Sequence, residues 1–167
     1  QGIKLVLSGL QQTNFPISYT EQKAVLYNFV KMTSNSTNQS LFANDKKGQY
    51  MRKNRKNFIA PSSITLEMEN AAPNIDDLNI PNIHGAYTVT DKADGIRKLL
   101  YIGQKGKIYM IDINMNVQYT GLLTKDNKFY NSVLDGEHII HDKNGKYLNL
   151  YMCFDIYFKN KDDLRYF

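Results

Sequence analysis

At 167 residues, with 42% hydrophobic and 22% charged residues, the chain has the size and balance of a folded domain with a sizeable core, not of a disordered tail. Twenty-one lysines and arginines against sixteen acids give a net charge of +5, which favours a polyanionic partner such as RNA or a nucleotide without requiring one. No run approaches the roughly 18 apolar residues of a membrane span, and the opening residues QGIKLVLSGLQQ lack the features of a secretory signal, so an intracellular, cytoplasmic protein with no membrane partner is expected. Cys153 stands alone, which fits a reducing compartment or a buried thiol, and the sequons at Asn35 and Asn38 are then expected to be silent.

In chain order, IKLVLSGL reads as a short strand. Pro16 closes that segment, and Ser18-Tyr19-Thr20-Glu21 offers a capping box for a helix over 18–31, with Ser18 as cap and Glu21 reaching back. Val25, Leu26, Phe29 and Val30 then recur at helical spacing. From Thr33 to Asn57 the composition turns to Ser, Asn, Lys and Gly, with Lys46, Lys47, Arg52, Lys53, Arg55 and Lys56 crowded together. This reads as a solvated basic linker and divides the chain into 1–56 and 57–167.

Beyond it, AYTVT, IRKLLYI, KIYMIDI, NVQYTGLL, SVLDGEHIIH and KYLNLYMCFDIYF are short runs rich in Val, Ile, Leu and Tyr. With turns at GQKG and DKNG, they predict a meander of antiparallel strands.

One strand junction carries unusual charge. In YTVTDKADGIRKLLYIG, alternation puts Ala86, Thr88, Thr90 and Lys92 on one face, so that Lys92 projects at a strand end and Asp94-Gly95 makes the bend. Taken alone, this is an ordinary hairpin flanked by basic residues. Two later segments add to it. VLDGEHI places Asp135 and Glu137 on one strand face, and YMCFD places Phe154 immediately before Asp155. Leu148, Leu150, Met152, Phe154 and Ile156 also form one apolar strand face, which would make Phe154 a core residue instead of an exposed stacking platform. His138 and His141, three apart on a strand, point to opposite faces and have no cysteine pair nearby, so they do not predict zinc. GxxxxGK and GxSxG are both absent.

KADGIR, LDGE and YMCFD, in this order and spacing, resemble the first motifs of the covalent nucleotidyltransferase superfamily, which holds mRNA capping enzymes and the ATP-dependent DNA and RNA ligases. FIAPSSITLEMEN followed by YTVTDKADGIRKLLYI is most similar to the guanylyltransferase module of capping enzymes from large DNA viruses. The resemblance covers residues from about 57 to 167. It implies an α+β, antiparallel-sheet nucleotidyltransferase domain of the ATP-grasp-like, DNA ligase-like kind, here its N-terminal half, preceded by a helix and a basic linker.

By that resemblance Lys92 attacks the α-phosphate of GTP, forms a lysyl-N-GMP adduct and passes GMP to a 5′-diphosphate RNA end. Asp94 would orient the nucleophile or the ribose, Gly95 would admit the backbone, Arg97 and Glu137 would bind the sugar, and Phe154 would stack on the base. Asp135 and Asp155 would either support the groups that contact the nucleotide or be linked to a metal, Mg²⁺ or Mn²⁺. An RNA triphosphatase and a cap methyltransferase are implied as fused or associated partners. The family continues with an EGxxxK-like motif, a lysine-rich motif and an OB-fold domain, none of which is found before Phe167, so these residues alone are expected to be inactive.

The chemistry needs a neutral amine, whereas a free lysine titrates at about 10.4. Burial and positive charge from Arg97, Lys98 and bound Mg²⁺ are the expected means of lowering it. An ATP-dependent ligase would use the same lysine. A non-catalytic RNA-binding module, using the basic run and exposed tyrosines, would not need it.

Overall fold

A computed structural model describes residues 2–34, 58–62, 65–71, 82–86, 89 and 92–165. The basic run from Lys46 to Lys56, both sequons and most of the expected strand at 86–90 lie outside the described residues. The chain divides into two compact units, one of residues 1–60 and 94–167 and one of residues 61–93.

The larger unit is α+β, built on a six-stranded sheet: β1 Ile96–Ile102, β2 Lys107–Ile111, β3 Val117–Leu123, β4 Ser132–His141, β5 Tyr147–Lys159 and β6 Asp162–Asp163. Their order is β3-β2-β1-β4-β5-β6 and every pairing is antiparallel. The expected turns are present, and each has a local cause. Gly106 and Gly145 adopt φ of 78° and 80°, where glycine meets no steric penalty. The Asp142 carboxylate accepts the backbone N–H groups of Asn144 and Lys146. A third turn follows β2, where Asp112 accepts from the N–H groups of Asn114 and Asn116 and so ends that strand two residues earlier than its apolar pattern suggests.

Helix α2, Tyr19–Thr33, covers one face of the sheet. Ser18 caps it by accepting from the Glu21 N–H at 3.1 Å. The helix buries Val25, Phe29 and Val30 among Leu99, Tyr101, Tyr109, Ile111, Val133 and Phe158, with Phe29 edge-on to Tyr101 at 5.8 Å. Phe58, Ile59 and Ala60 pack against the same core. A boundary was expected between 1–56 and 57–167, yet α2 and the sheet share one core.

Two local expectations are corrected. IKLVLSGL is not a strand; it lies in helix α1, Gly2–Gln11. A short run of Ile, Leu and Val does not by itself distinguish the two, and the helix satisfies its own backbone without a neighbouring strand. Glu21 does not complete a capping box. Its Oε1 accepts from Lys107 Nζ at 2.7 Å and Tyr109 O–H at 3.0 Å, which ties the start of α2 to β2.

The Lys107 hydrogen bond holds the Glu21 carboxyl below its ordinary 4.5. A depressed carboxyl contributes stability that is present above 4.5 and is lost as the pH falls through the folded value. Glu21→Gln is therefore expected to lower the urea midpoint at pH 7 and to shrink its fall between pH 5 and pH 3. An unchanged acid limb would show that the contact carries no stability.

The smaller unit contains α3, Met68–Ala71. The Ile83 N–H donates to Asn70 O at 2.9 Å, and the His84 ring lies 3.0 Å from Ala71 O. Lys92 is the last residue but one of this unit, exposed, with its amine donating to Ala93 O at 3.3 Å.

Candidate active site

The charge in the opening of β1 has a structural counterpart on β4 and β5. Antiparallel register sets Arg97 opposite Glu137 and Leu99 opposite Asp135, so all four share a face of the sheet. At the inner end of the group the fully buried Asp135 accepts from Arg97 Nε at 3.1 Å and Nη2 at 2.5 Å. The Tyr157 hydroxyl donates to the same carboxylate. This hydrogen-bonded pair raises the Arg97 guanidinium further above its ordinary range, and burial, with Asp135 beside it, raises the Tyr157 phenol. Asp135 thus fixes the direction of Arg97 through a two-point contact.

Beside Arg97, one oxygen of Glu137, Oε2, is buried and has no hydrogen-bond partner among the described residues. A buried, unpaired carboxylate oxygen is costly and calls for a donor. It lies close to Gly95: a Cβ at residue 95 would come within 3.2 Å of Oε2, 3.1 Å of Ile139 Cγ1 and 2.9 Å of His138 O. Glycine is required here by close approach. Asp94 precedes it, exposed.

Phe154 reaches the same face through an irregularity. Between Asp135 and Gly136 β4 advances one residue while β5 advances two, from Asp155 to Cys153, which makes Phe154 the extra residue of a β-bulge. A second bulge makes Tyr157 extra between Ile156 and Phe158. The two bulges turn the Tyr157 hydroxyl onto Asp135 and the Phe154 ring to 6.0 Å from the Arg97 guanidinium carbon. Phe154 is 57% exposed, and Leu148, Leu150, Met152 and Ile156, the other members of its expected apolar face, are exposed as well, so that face is not a core. Cys153 is likewise exposed, contrary to the expected buried thiol.

The structure thus brings Gly95, Arg97, Asp135, Glu137 and Phe154 together. Lys98, expected to add positive charge there, projects to the opposite face of β1. Its amine donates to Gln118 Oε1 at 2.5 Å and lies 3.4 Å from His138 Nδ1, and burial holds it below the ordinary lysine range. His138 Nε2 lies 2.8 Å from Asn149 Oδ1.

Tyr157 and Tyr151 are the participants that motif reading missed. Tyr151 donates to Lys98 O at 2.8 Å and Leu134 O at 3.2 Å, locking β5 across β4 to β1. The phenol can pass because residue 136 has no side chain. A Cβ there would meet Met152 O at 2.4 Å and the Tyr151 ring at 2.6 Å. Gly136→Ala is expected to cost about 1–3 kcal/mol or more through this overpacking, read as a lower urea midpoint, while an unchanged midpoint would mean that β5 yields freely.

Both Asp135 oxygens are occupied by Arg97 and Tyr157, and Asp155 Oδ1 accepts the Ile156 N–H. Among the described residues no three His, Cys, Asp or Glu side chains converge as metal ligands. This donor set does not fit a resident metal ion. Among them, too, no helix is long and apolar enough to cross a membrane.

An antiparallel sheet with a paired arginine, an unpaired glutamate and an exposed aromatic ring on one face has the chemistry of a nucleotide-handling domain. Comparison with known proteins makes this specific: residues 73–165, more than half of the chain, match the model of the mRNA capping enzyme catalytic domain, and the chain belongs to that family. It is also 38% identical over 90 residues to a protein of Acanthamoeba polyphaga mimivirus described as "Probable mRNA-capping enzyme". That match covers 52% of this chain and 7% of the relative.

Proposed function

We propose that the protein containing this chain is an mRNA guanylyltransferase acting through a lysyl-N-GMP intermediate. The observation that carries the reading is that Arg97, Glu137 and Phe154, from three separate motif segments of a capping-enzyme family member, meet on one sheet face. The finer fold assignment, to the ATP-grasp-like and DNA ligase-like nucleotidyltransferases, belongs to the same proposal. So do Lys92 as nucleophile and a cytoplasmic site of action.

In the first step the Lys92 amine attacks the α-phosphorus of GTP, which arrives as its magnesium complex. A nitrogen–phosphorus bond forms, the bond to pyrophosphate breaks, and the amine gives up a proton. In the second, a terminal oxygen of a 5′-diphosphate RNA attacks that phosphorus, the nitrogen–phosphorus bond breaks, and the lysine recovers its proton. The chain's own groups position the nucleotide. Glu137 accepts from a ribose hydroxyl, which gives its buried oxygen a partner, and Arg97, held by Asp135, donates to the sugar. Phe154 offers its exposed ring to the base. Asp94 orients the nucleophile. RNA triphosphatase and cap methyltransferase activities accompany the full protein.

The test is to incubate the full-length protein with Mg²⁺ and α-³²P-labelled GTP or ATP, then denature it. Label retained from GTP supports the proposal. Label from ATP moves the protein to the ligases, and label from neither leaves a non-catalytic RNA-binding module.

A further inference from the structure

Opposite the Gly95 end of the sheet, three connections come together: the turn 103–106, the connection 124–131 and the turn 160–161. The Thr124 N–H donates to Gly106 O at 3.0 Å, the Lys161 N–H to Asn131 O at 3.0 Å, and the Asn160 N–H to Ser132 Oγ at 3.2 Å. They carry Lys105, Lys125, Lys128, Lys159 and Lys161, all exposed.

None of the five amines has a carboxylate partner among the described residues, whereas nearby Lys107 and Arg165 are paired with Glu21 and Asp163. Only Asp126 and Asp162 oppose them, and neither forms an ion pair. Phe129 sits amid the lysines, 51% exposed, in the 3-10 turn Asn127–Phe129.

The backbone adds a separate observation. Asn160 and Lys161 form a two-residue hairpin with φ of 50° and 76°. Such a turn prefers asparagine followed by glycine. Asparagine is in place, but the glycine position holds a lysine, whose Cβ strains the left-handed backbone. A lysine kept there at a cost to the fold points to a use for its charge.

We propose that this end of the sheet binds the phosphate backbone of the RNA downstream of its 5′ end, with Phe129 as a stacking surface for a base. The surface rests on the guanylyltransferase reading for the identity of its RNA. β1 spans seven residues at roughly 3.3 Å each, so the surface lies on the order of 20 Å from Gly95. At roughly 3.4 Å per nucleotide, a dinucleotide held at Gly95 cannot reach it, whereas an RNA of about 20 nucleotides can.

The experiment compares the full-length protein with its Lys125→Ser/Lys128→Ser/Lys161→Gly variant by fluorescence anisotropy, using a single-stranded 5′-diphosphate RNA of about 20 nucleotides over a range of salt. Loss of three phosphate contacts predicts binding weaker by roughly tenfold or more and a salt slope reduced by about two. GMP transfer to a dinucleotide acceptor stays unchanged. Lys161→Gly alone is expected to weaken RNA binding while its Tm stays equal or rises, a pairing that damage to the fold would not produce.

Unchanged affinity and slope would overturn the surface. Retained RNA binding with lost polyglutamate binding would assign it to an acidic protein and equally overturn the proposal. Lysyl-GMP formation is followed in the same preparations. If the wild type forms none, the guanylyltransferase reading fails while the anisotropy result still decides the RNA surface.

Discussion

Full-length protein carrying Lys92→Ala is expected to lose covalent labelling by GTP completely, and Lys92→Arg to lose it equally. The alanine removes the nucleophilic nitrogen. Arginine retains length and charge, but its guanidinium does not become a neutral nucleophile at any working pH. Equal loss in both variants therefore separates a nucleophile from a phosphate-binding cation, a role in which arginine would serve. Lys92 is exposed and its amine makes a single hydrogen bond of 3.3 Å to the neighbouring Ala93 carbonyl, so replacing it disturbs no packing. Urea midpoints of both variants are expected to match the wild type. A variant that unfolds more easily would mean that the lysine contributes to the fold as well.

Asp135→Ala is expected to be the most destabilising single substitution in the sheet, by about 3–5 kcal/mol in urea unfolding. The carboxylate is wholly buried, and its removal leaves the half-buried Arg97 fork and the Tyr157 hydroxyl without their acceptor. Because the Arg97 side chain keeps 28% exposure, water relieves part of its loss and sets the effect toward the lower end of that range. The double variant Asp135→Leu/Arg97→Met is expected to recover much of the stability, since apolar groups of similar volume often replace a buried ion pair without cost. It is not expected to recover nucleotide binding. Recovery of both would reduce the pair to a packing device.

Much of the fold was legible because the strands announce themselves. IRKLLYI and SVLDGEHIIH coincide with β1 and β4, and the Ser18 cap and the apolar spacing from Val25 to Val30 describe α2. What escaped is what alternation and propensity do not encode. IKLVLSGL is helical, because a short apolar run says little about its own hydrogen bonding. Glu21 left its capping role for Lys107 and Tyr109, partners 86 and 88 residues away.

At the site, the motifs picked out Gly95, Arg97, Glu137 and Phe154, but not how they meet. Bulges at Phe154 and Tyr157 break a run that reads as uniform alternation, and each turns a ring toward Arg97 or its counter-ion. The place of Asp135 in LDGE leaves open whether it supports a neighbouring group or is linked to a metal. Only the tertiary structure shows its oxygens committed to Arg97 and Tyr157. Lys98, one residue from Arg97, does not share its face, because adjacent residues on a strand point opposite ways.

The most direct measurement is mass spectrometry of the full-length protein after incubation with Mg²⁺ and GTP and digestion under conditions that preserve phosphoramidates. The account predicts a GMP increment on the peptide containing Lys92, carried by that residue on fragmentation. An increment on Lys98 or on a lysine outside KADGIR, or no increment with GTP under conditions where the protein is folded, would contradict it.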